Sequence, residues 1–341
     1  MNSAHSEHQV PASAAGDFLR TQRDVATGLA TVAGDASAII TVSGPDRLTW
    51  LNSLITQEVL GLKPGHTVES LVLSPQGRVE HAFLLADDGL TTWMLTDIES
   101  SAALETWLVS MKFRMDVTID RPENFQILVS PLESVFSEHA PLMVFSDPWP
   151  RVGSGSVGYA QDPHPGEDWT LVYGVFPADH AAGIPGPIVS PSHLDALSIA
   201  AARPTMADVD EKTLPHELDW LRTAVHLNKG CYRGQETVAK VHNLGHPPRR
   251  FTLLHLDGSE SLLPAAGDKL VLGDKEVGIV TRAAWHYEMG PIALALVKRT
   301  TAGDAVLTVR TGGRFVGASQ EVLVPPDAGA TRNVPRLGRL R

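Results

Sequence analysis

The 341-residue sequence has one cysteine, and it falls in the densest run of chemistry-bearing side chains, Lys229-Gly230-Cys231-Tyr232-Arg233-Gly234-Gln235-Glu236-Thr237-Val238-Ala239-Lys240. Gln235 to Leu244 reads as a short helix closed by Gly245, which puts Cys231 a few residues before a helix N-terminus. The partial positive charge there, with Lys229 and Arg233 close in sequence, favours a thiolate, the reactive form of the side chain. A lone cysteine is otherwise most often a small packed hydrophobe. An apolar packing site has little use for cations and amides on both sides, however, since each must be solvated or paired when buried.

Two other patterns resemble chemistry without its context. Gly153-Ser154-Gly155-Ser156-Val157-Gly158 fits the G-x-G-x-x-G dinucleotide pattern, but Pro148 and Pro150 stand where a strand must precede it and Pro163 and Pro165 where a helix must follow. The segment therefore reads as a flexible loop. None of the 14 histidines forms H-E-x-x-H, and His242 and His246 have Gly245 between them and no third ligand nearby, so no metal is expected. One cysteine cannot supply the four thiolates that usually hold an iron-sulfur cluster.

Composition sets the setting. One cysteine excludes an intramolecular disulfide, the residues before Phe18 are too polar for a signal peptide, and no apolar run reaches membrane-spanning length, so a cytoplasmic location is expected. The net charge of -11, from 28 basic and 39 acidic residues, opposes direct binding to nucleic acid or an anionic membrane. Arg332, Arg336, Arg339 and Arg341 make a basic tail that reads as a solvated end.

The elements that must position the cysteine alternate between strand and helix. Residues 36–43 read as a β-branched strand broken at Gly44-Pro45, followed by a helix with Leu48, Leu51, Leu54 and Ile55 on one face. Strands at 71–73 and 79–85 flank the turn Pro75-Gln76-Gly77, and a strand at 92–95, a helix at 101–111 and a strand at 115–119 complete one unit. A second runs from strand 125–129 through a Pro/Gly-rich stretch to strand 169–176 and helices at 193–202 and 217–227. From Arg250 short turn-separated strands, at 251–256, 269–272, 277–281, 292–297 and 305–309, predict a small barrel or sandwich.

The run K-G-C-Y-x-G-Q-E resembles the signature of YgfZ-type folate-binding proteins, relatives of glycine-cleavage T-protein implicated in maintaining iron-sulfur enzymes and, through them, tRNA modification. The similarity extends over about residues 30 to 325. It includes Val42-Ser43-Gly44-Pro45-Asp46, Thr56-Gln57-Glu58-Val59, Pro75-Gln76-Gly77-Arg78, Ala202-Arg203-Pro204, Leu214-Pro215-His216-Glu217, Arg249-Arg250, Val277-Gly278 and Ala293-Leu294-Ala295. Gln57-Glu58 departs from the Asn-Asp common in that loop.

The resemblance implies an α+β fold: two T-protein-like (ferredoxin-like) units around a central folate channel, plus a C-terminal β-barrel. The expected layout is a disordered segment at 1–29, units at 30–121 and 122–248, a barrel at 249–325 and the basic tail at 326–341. It also implies tetrahydrofolate or a derivative as ligand and iron-sulfur enzymes or their assembly proteins as partners. Cys231 and Lys229 are the expected reactive pair, with Lys229 lowering the thiol's pKa. Tyr232, Arg233, Gly234, Gln235, Glu236, Glu217 and Arg203 are expected around the folate, Glu217 receiving ring N–H groups or, equally, serving as a helix N-terminal charge. The aspartate pair that T-protein catalysis needs after the glycine turn falls here on His81 and Ala82. A folate-binding role in iron-sulfur cluster assembly or repair is therefore expected ahead of aminomethyl or other one-carbon transfer, with a non-catalytic folate-binding scaffold as a further alternative.

Overall fold

The computed structural model of the chain describes residues 12–178, 183–184, 186–259 and 261–331. In order, the elements are α1 (Ala12–Ala26), β1 (Thr31–Ala33), β2 (Ser37–Ser43), α2 (Arg47–Leu54), β3 (Thr67–Leu73), β4 (Val79–Asp87), β5 (Thr91–Asp97), α3 (Ile98–Met111) and β6 (Thr118–Asp120). Then follow β7 (Phe125–Ser130), α4 (Ser134–Ser137), β8 (Met143–Ser146), β9 (Val172–Pro177), β10 (Ile188–Val189), α5 (Ser192–Ala200), the single turn α6 (Leu221–Ala224) and α7 (Gln235–Leu244). The last six strands are β11 (Arg249–Leu256), β12 (Lys269–Leu272), β13 (Lys275–His286), β14 (Gly290–Lys298), β15 (Leu307–Thr311) and β16 (Arg314–Val322).

Two five-stranded sheets, ordered β3-β4-β5-β2-β6 and β10-β1-β7-β9-β8, accompany a closed barrel ordered β11-β14-β13-β12-β15-β16. Closure of the barrel removes exposed strand edges, and its interior is a packed core of residues such as Leu254, Leu270, Val280, Ala295 and Val309. α2 and α3 cover one face of the first sheet, burying Trp50, Leu51, Leu104 and Leu108 against Ile40, Val42 and Leu85. A separate core around Trp149, Trp220, Leu221, Tyr232 and Val238 joins both units to the barrel residues Phe251 and Leu294.

Three expectations change. The disordered segment expected over 1–29 contains α1, which packs on α5 and β13. Phe18 stacks on His193 at 4.3 Å, and the buried Gln22 carboxamide donates to Trp285 O and accepts from Tyr287 N. Those long-range partners stabilise a helix whose own composition is too polar to announce it. β1, expected in the first unit, pairs with β7 and β10 in the second sheet. The helix expected over 217–227 breaks, because Asp219 adopts φ 55°, a left-handed conformation no helix continues through, leaving a 3-10 turn at Pro215–Leu218 and the single turn α6. The basic tail from Arg332 onward lies outside the described residues.

Candidate functional site

Three of the residues expected to do chemistry in the K-G-C-Y-x-G-Q-E run act as joints. Lys229 is buried, and its ammonium donates to the carbonyls of Asn52, Ile55 and Gln57 at 2.8, 2.7 and 2.7 Å. An ammonium has three donors, so none is left for the neighbouring thiol. These carbonyls lie at and just beyond the C-terminal end of α2, where backbone acceptors run out of intrahelical partners. Burial pushes Lys229 down to about 8, opposed by the carboxylate of Glu58. The same loop is held from its other side, where Gln57 donates to Thr223 O and Thr56 donates to Ala224 O.

Arg233 reaches across to β4 and pairs with Glu80 at 3.1 Å. Gly234 has φ 85° and precedes α7; a Cβ placed on it would meet Ser74 O at 2.6 Å and the Cα of Gly77 at 2.9 Å. Gly77 itself has φ 76°, and its Cβ would meet Thr237 at 2.7 Å. The β3–β4 turn and the turn into α7 therefore lie backbone to backbone, an approach only glycine allows. Glu236, exposed in the first turn of α7, faces the favourable end of the helix dipole. Tyr232 is buried and Gln235 half-buried, and both line a cavity of about 390 Å³. Cys231 is exposed.

One expected ligand contact is corrected by its partners. Glu217 is fully buried, and its two oxygens take the backbone N–H of Leu214 and Arg249 and the Arg249 guanidinium. Every acceptor direction is filled from within the chain, so Glu217 cannot receive ring N–H groups. It clamps the barrel's first strand, since the same guanidinium also pairs with Asp210 at 2.6 Å. Cys231, expected to form a reactive pair with Lys229, does not line the large cavity described next. Arg203 does line it.

The large cavity measures about 630 Å³ and lies between the two five-stranded sheets, with α5 and β13 contributing to its wall. Sequence reasoning missed most of its polar residues. Glu69, buried on β3, accepts from Arg203 at 2.6 Å, from Trp220 Nε1 at 2.8 Å and from Thr223 Oγ1. Asp147 accepts from Arg203 and Trp169 Nε1, each at 2.9 Å. Arg203 so bridges two acids and lies over the Trp149 ring at 5.3 Å. Burial raises the Glu69 carboxyl, and the nearby Asp147 adds to it, against the Arg203 charge and the Thr223 and Trp220 hydrogen bonds.

Asp97 and Tyr173 differ from these in being unspent. Both line the large cavity, and neither the Asp97 carboxyl nor the Tyr173 hydroxyl has a hydrogen-bond partner among the described residues. Burial raises the Asp97 carboxyl, helped by Glu99. It also raises Tyr173, keeping its hydroxyl protonated. One signal was legible: Glu69 is a lone acid inside the otherwise strand-like run Thr67 to Leu73.

Of the other patterns, the 153–158 segment is an irregular loop whose Gly153 and Val157 N–H groups donate to Arg222 O and Leu221 O. Those donors are unavailable to a pyrophosphate. Among the described residues no group of three or more His, Cys, Asp or Glu is placed to hold a metal ion, and no helix is long and apolar enough to cross a membrane.

Comparison with known proteins agrees with this architecture. The tRNA-modifying protein YgfZ of Klebsiella pneumoniae is 25% identical over 300 residues, spanning 81% of this chain and 87% of the relative. The chain is similar in sequence to YgfZ over most of its length. YgfZ of Sodalis glossinidius is 41% identical over a shorter stretch of 91 residues, 25% of this chain and 27% of that protein. The glycine cleavage system aminomethyltransferase T of Bartonella henselae shares the fold, with a TM-score of 0.71 over 92% of this chain and 90% of its own at 14% identity. No protein-family model matches the chain. The fold shared with that structure is a mixed α/β arrangement, here with a closed six-stranded C-terminal barrel.

Proposed function

We propose that the chain is a folate-binding protein of YgfZ type that holds a reduced folate in the 630 Å³ cavity and supports tRNA modification, acting in the cytoplasm on iron-sulfur enzymes or their assembly proteins. The observation that carries the reading is the pairing, inside an aromatic-walled cavity, of an unspent carboxyl on Asp97 with an unspent hydroxyl on Tyr173. A pterin is flat and edged with N–H donors and acceptors, which suits Trp169 and Tyr173 as ring contacts and Asp97 as acceptor. Arg203, Glu69 and Asp147 would fix the wall without themselves turning to the ligand, since each is already paired.

A bound tetrahydrofolate would serve as a carrier of one-carbon units, and in aminomethyl transfer it would be the acceptor. The residues that would have to move a proton for transfer are not where aminomethyl transfer expects them: Ala82 lines the cavity, and Glu80 is held by Arg233. This supports a role other than aminomethyl transfer. Cys231, exposed outside this cavity, would act on a partner rather than on the folate. Calorimetric titration with tetrahydrofolate tests the reading. Saturable binding, weakened about tenfold by Asp97→Asn with unfolding unchanged, is the expected result, about the value of one hydrogen bond to a charged group. Absence of heat at saturating ligand overturns it.

A further inference from the structure

The second cavity, of about 390 Å³, is built from the signature segment and the glycine loop that a dinucleotide does not use. Ser156 comes from that loop, Asn228 and Tyr232 from the signature, and Gln235, His242 and Asn243 from α7. Among the described residues no lysine, arginine, aspartate or glutamate lines it. The loop is pinned rather than free: Leu227 N–H donates to Gly155 O at 2.8 Å, and Ser156 Oγ donates to Val225 O at 2.8 Å.

Tyr232 is the deciding residue. It is 7% exposed, lines the cavity, and its hydroxyl has no hydrogen-bond partner among the described residues. Its ring is packed while its hydroxyl stays open to the cavity, so an acceptor on a ligand can take that donor without displacing a partner within the chain. The carboxamides of Asn228 and Gln235 also have no side-chain partner among the described residues, while Asn243 spends one N–H on Ala239 O and keeps its oxygen. The cup thus offers several donor and acceptor pairs and no charge.

We infer that this cavity receives an uncharged, extended segment of a partner polypeptide, whose backbone carbonyl takes the Tyr232 hydroxyl and whose peptide groups pair with the carboxamides of Asn228 and Gln235. Charge excludes phosphates, carboxylates and metal ions as preferred occupants, because nothing in the lining compensates a desolvated ion. A carboxamide presents one donor and one acceptor side by side, matching a peptide group. A nucleobase would need an open ring face, but the rings of the lining are engaged: Lys229 Nζ lies 5.6 Å from the Tyr232 centroid, and His242 stacks on Tyr159 at 6.0 Å. The exposed Cys231 immediately precedes Tyr232 in the chain but does not itself line the cavity.

The test is a magnetic-resonance titration of the 15N-labelled full chain, following the side-chain amides of Asn228 and Gln235. The expected result is a saturable shift with N-acetyl-glycylglycine N-methylamide, in the millimolar range suited to so small a probe, and none with inorganic phosphate. Tyr232→Phe should weaken it about three- to tenfold, the value of one neutral hydrogen bond. Gln235→Leu should weaken it as well. The proposal is overturned if the diamide produces no shift, if both variants bind it undiminished, or if uridine binds and the diamide does not. Tetrahydrofolate titration of the same variants should be unchanged, so failure here is separable from failure of the folate reading.

Discussion

The signature segment and the large cavity divide the chemistry in opposite ways. Residues 229–236 concentrate reactive types within eight positions, yet Lys229, Arg233 and Gly234 are consumed in holding the 52–57 loop, β4 and the β3–β4 turn. The cavity draws Glu69, Asp97, Asp147, Tyr173, Arg203 and Trp220 from widely separated stretches, and two of them keep free polar groups. Density along the chain here marks a place where several segments must be tied together. The groups left over for a ligand are those that neighbouring segments do not satisfy.

Variants can break or sharpen that contrast. Arg203→Met should be the most damaging, costing about 4 kcal/mol in denaturant unfolding, because it leaves Glu69 and Asp147 buried without their shared cation. Lys229→Met should cost about 3 kcal/mol by stranding three carbonyls. If it unfolds like the parent chain but abolishes function in cells, the segment is a reactive site and not a joint.

Acid should act on the same joint. His216, buried beneath α7, donates from Nε2 to Val238 O, has no partner for Nδ1 among the described residues, and is pushed by burial down to about 4. A folded value below the unfolded one stabilises the fold fully above pH about 6.5 and is lost as pH falls toward 4, a loss of up to about 3 kcal/mol that His216→Gln should remove from the pH profile of unfolding. Gly234→Ala should cost about 2 kcal/mol in thermal unfolding, combining a positive φ with contact against Ser74 O. An undisturbed melting curve there would show that the two turns do not need their close approach.

Much of the fold was legible in the sequence. The hairpin around Pro75-Gln76-Gly77 is seen as β3 and β4, and α7 spans Gln235–Leu244 with Gly245 after it, because a turn glycine and a periodic apolar face act locally. β16 was missed, since Gly317 and the polar run Ser319 to Glu321 interrupt any apolar alternation over Arg314 to Val322, which is held as a strand by pairing with β11 and β15. Arg203 was named among the site residues and lines the cavity, while Glu217 was named and proved to be a clamp.

The sequence alone determined which side chains were candidates, where most strands and turns fall, and that the chain resembles a folate-binding family. The tertiary structure alone decided which of those side chains still have a hydrogen bond to give. Glu69 and Arg203 are 134 positions apart, and Lys229 lies 172 to 177 positions from the carbonyls it holds. Whether a polar group is spent depends on such distant partners, and local spacing carries no record of them.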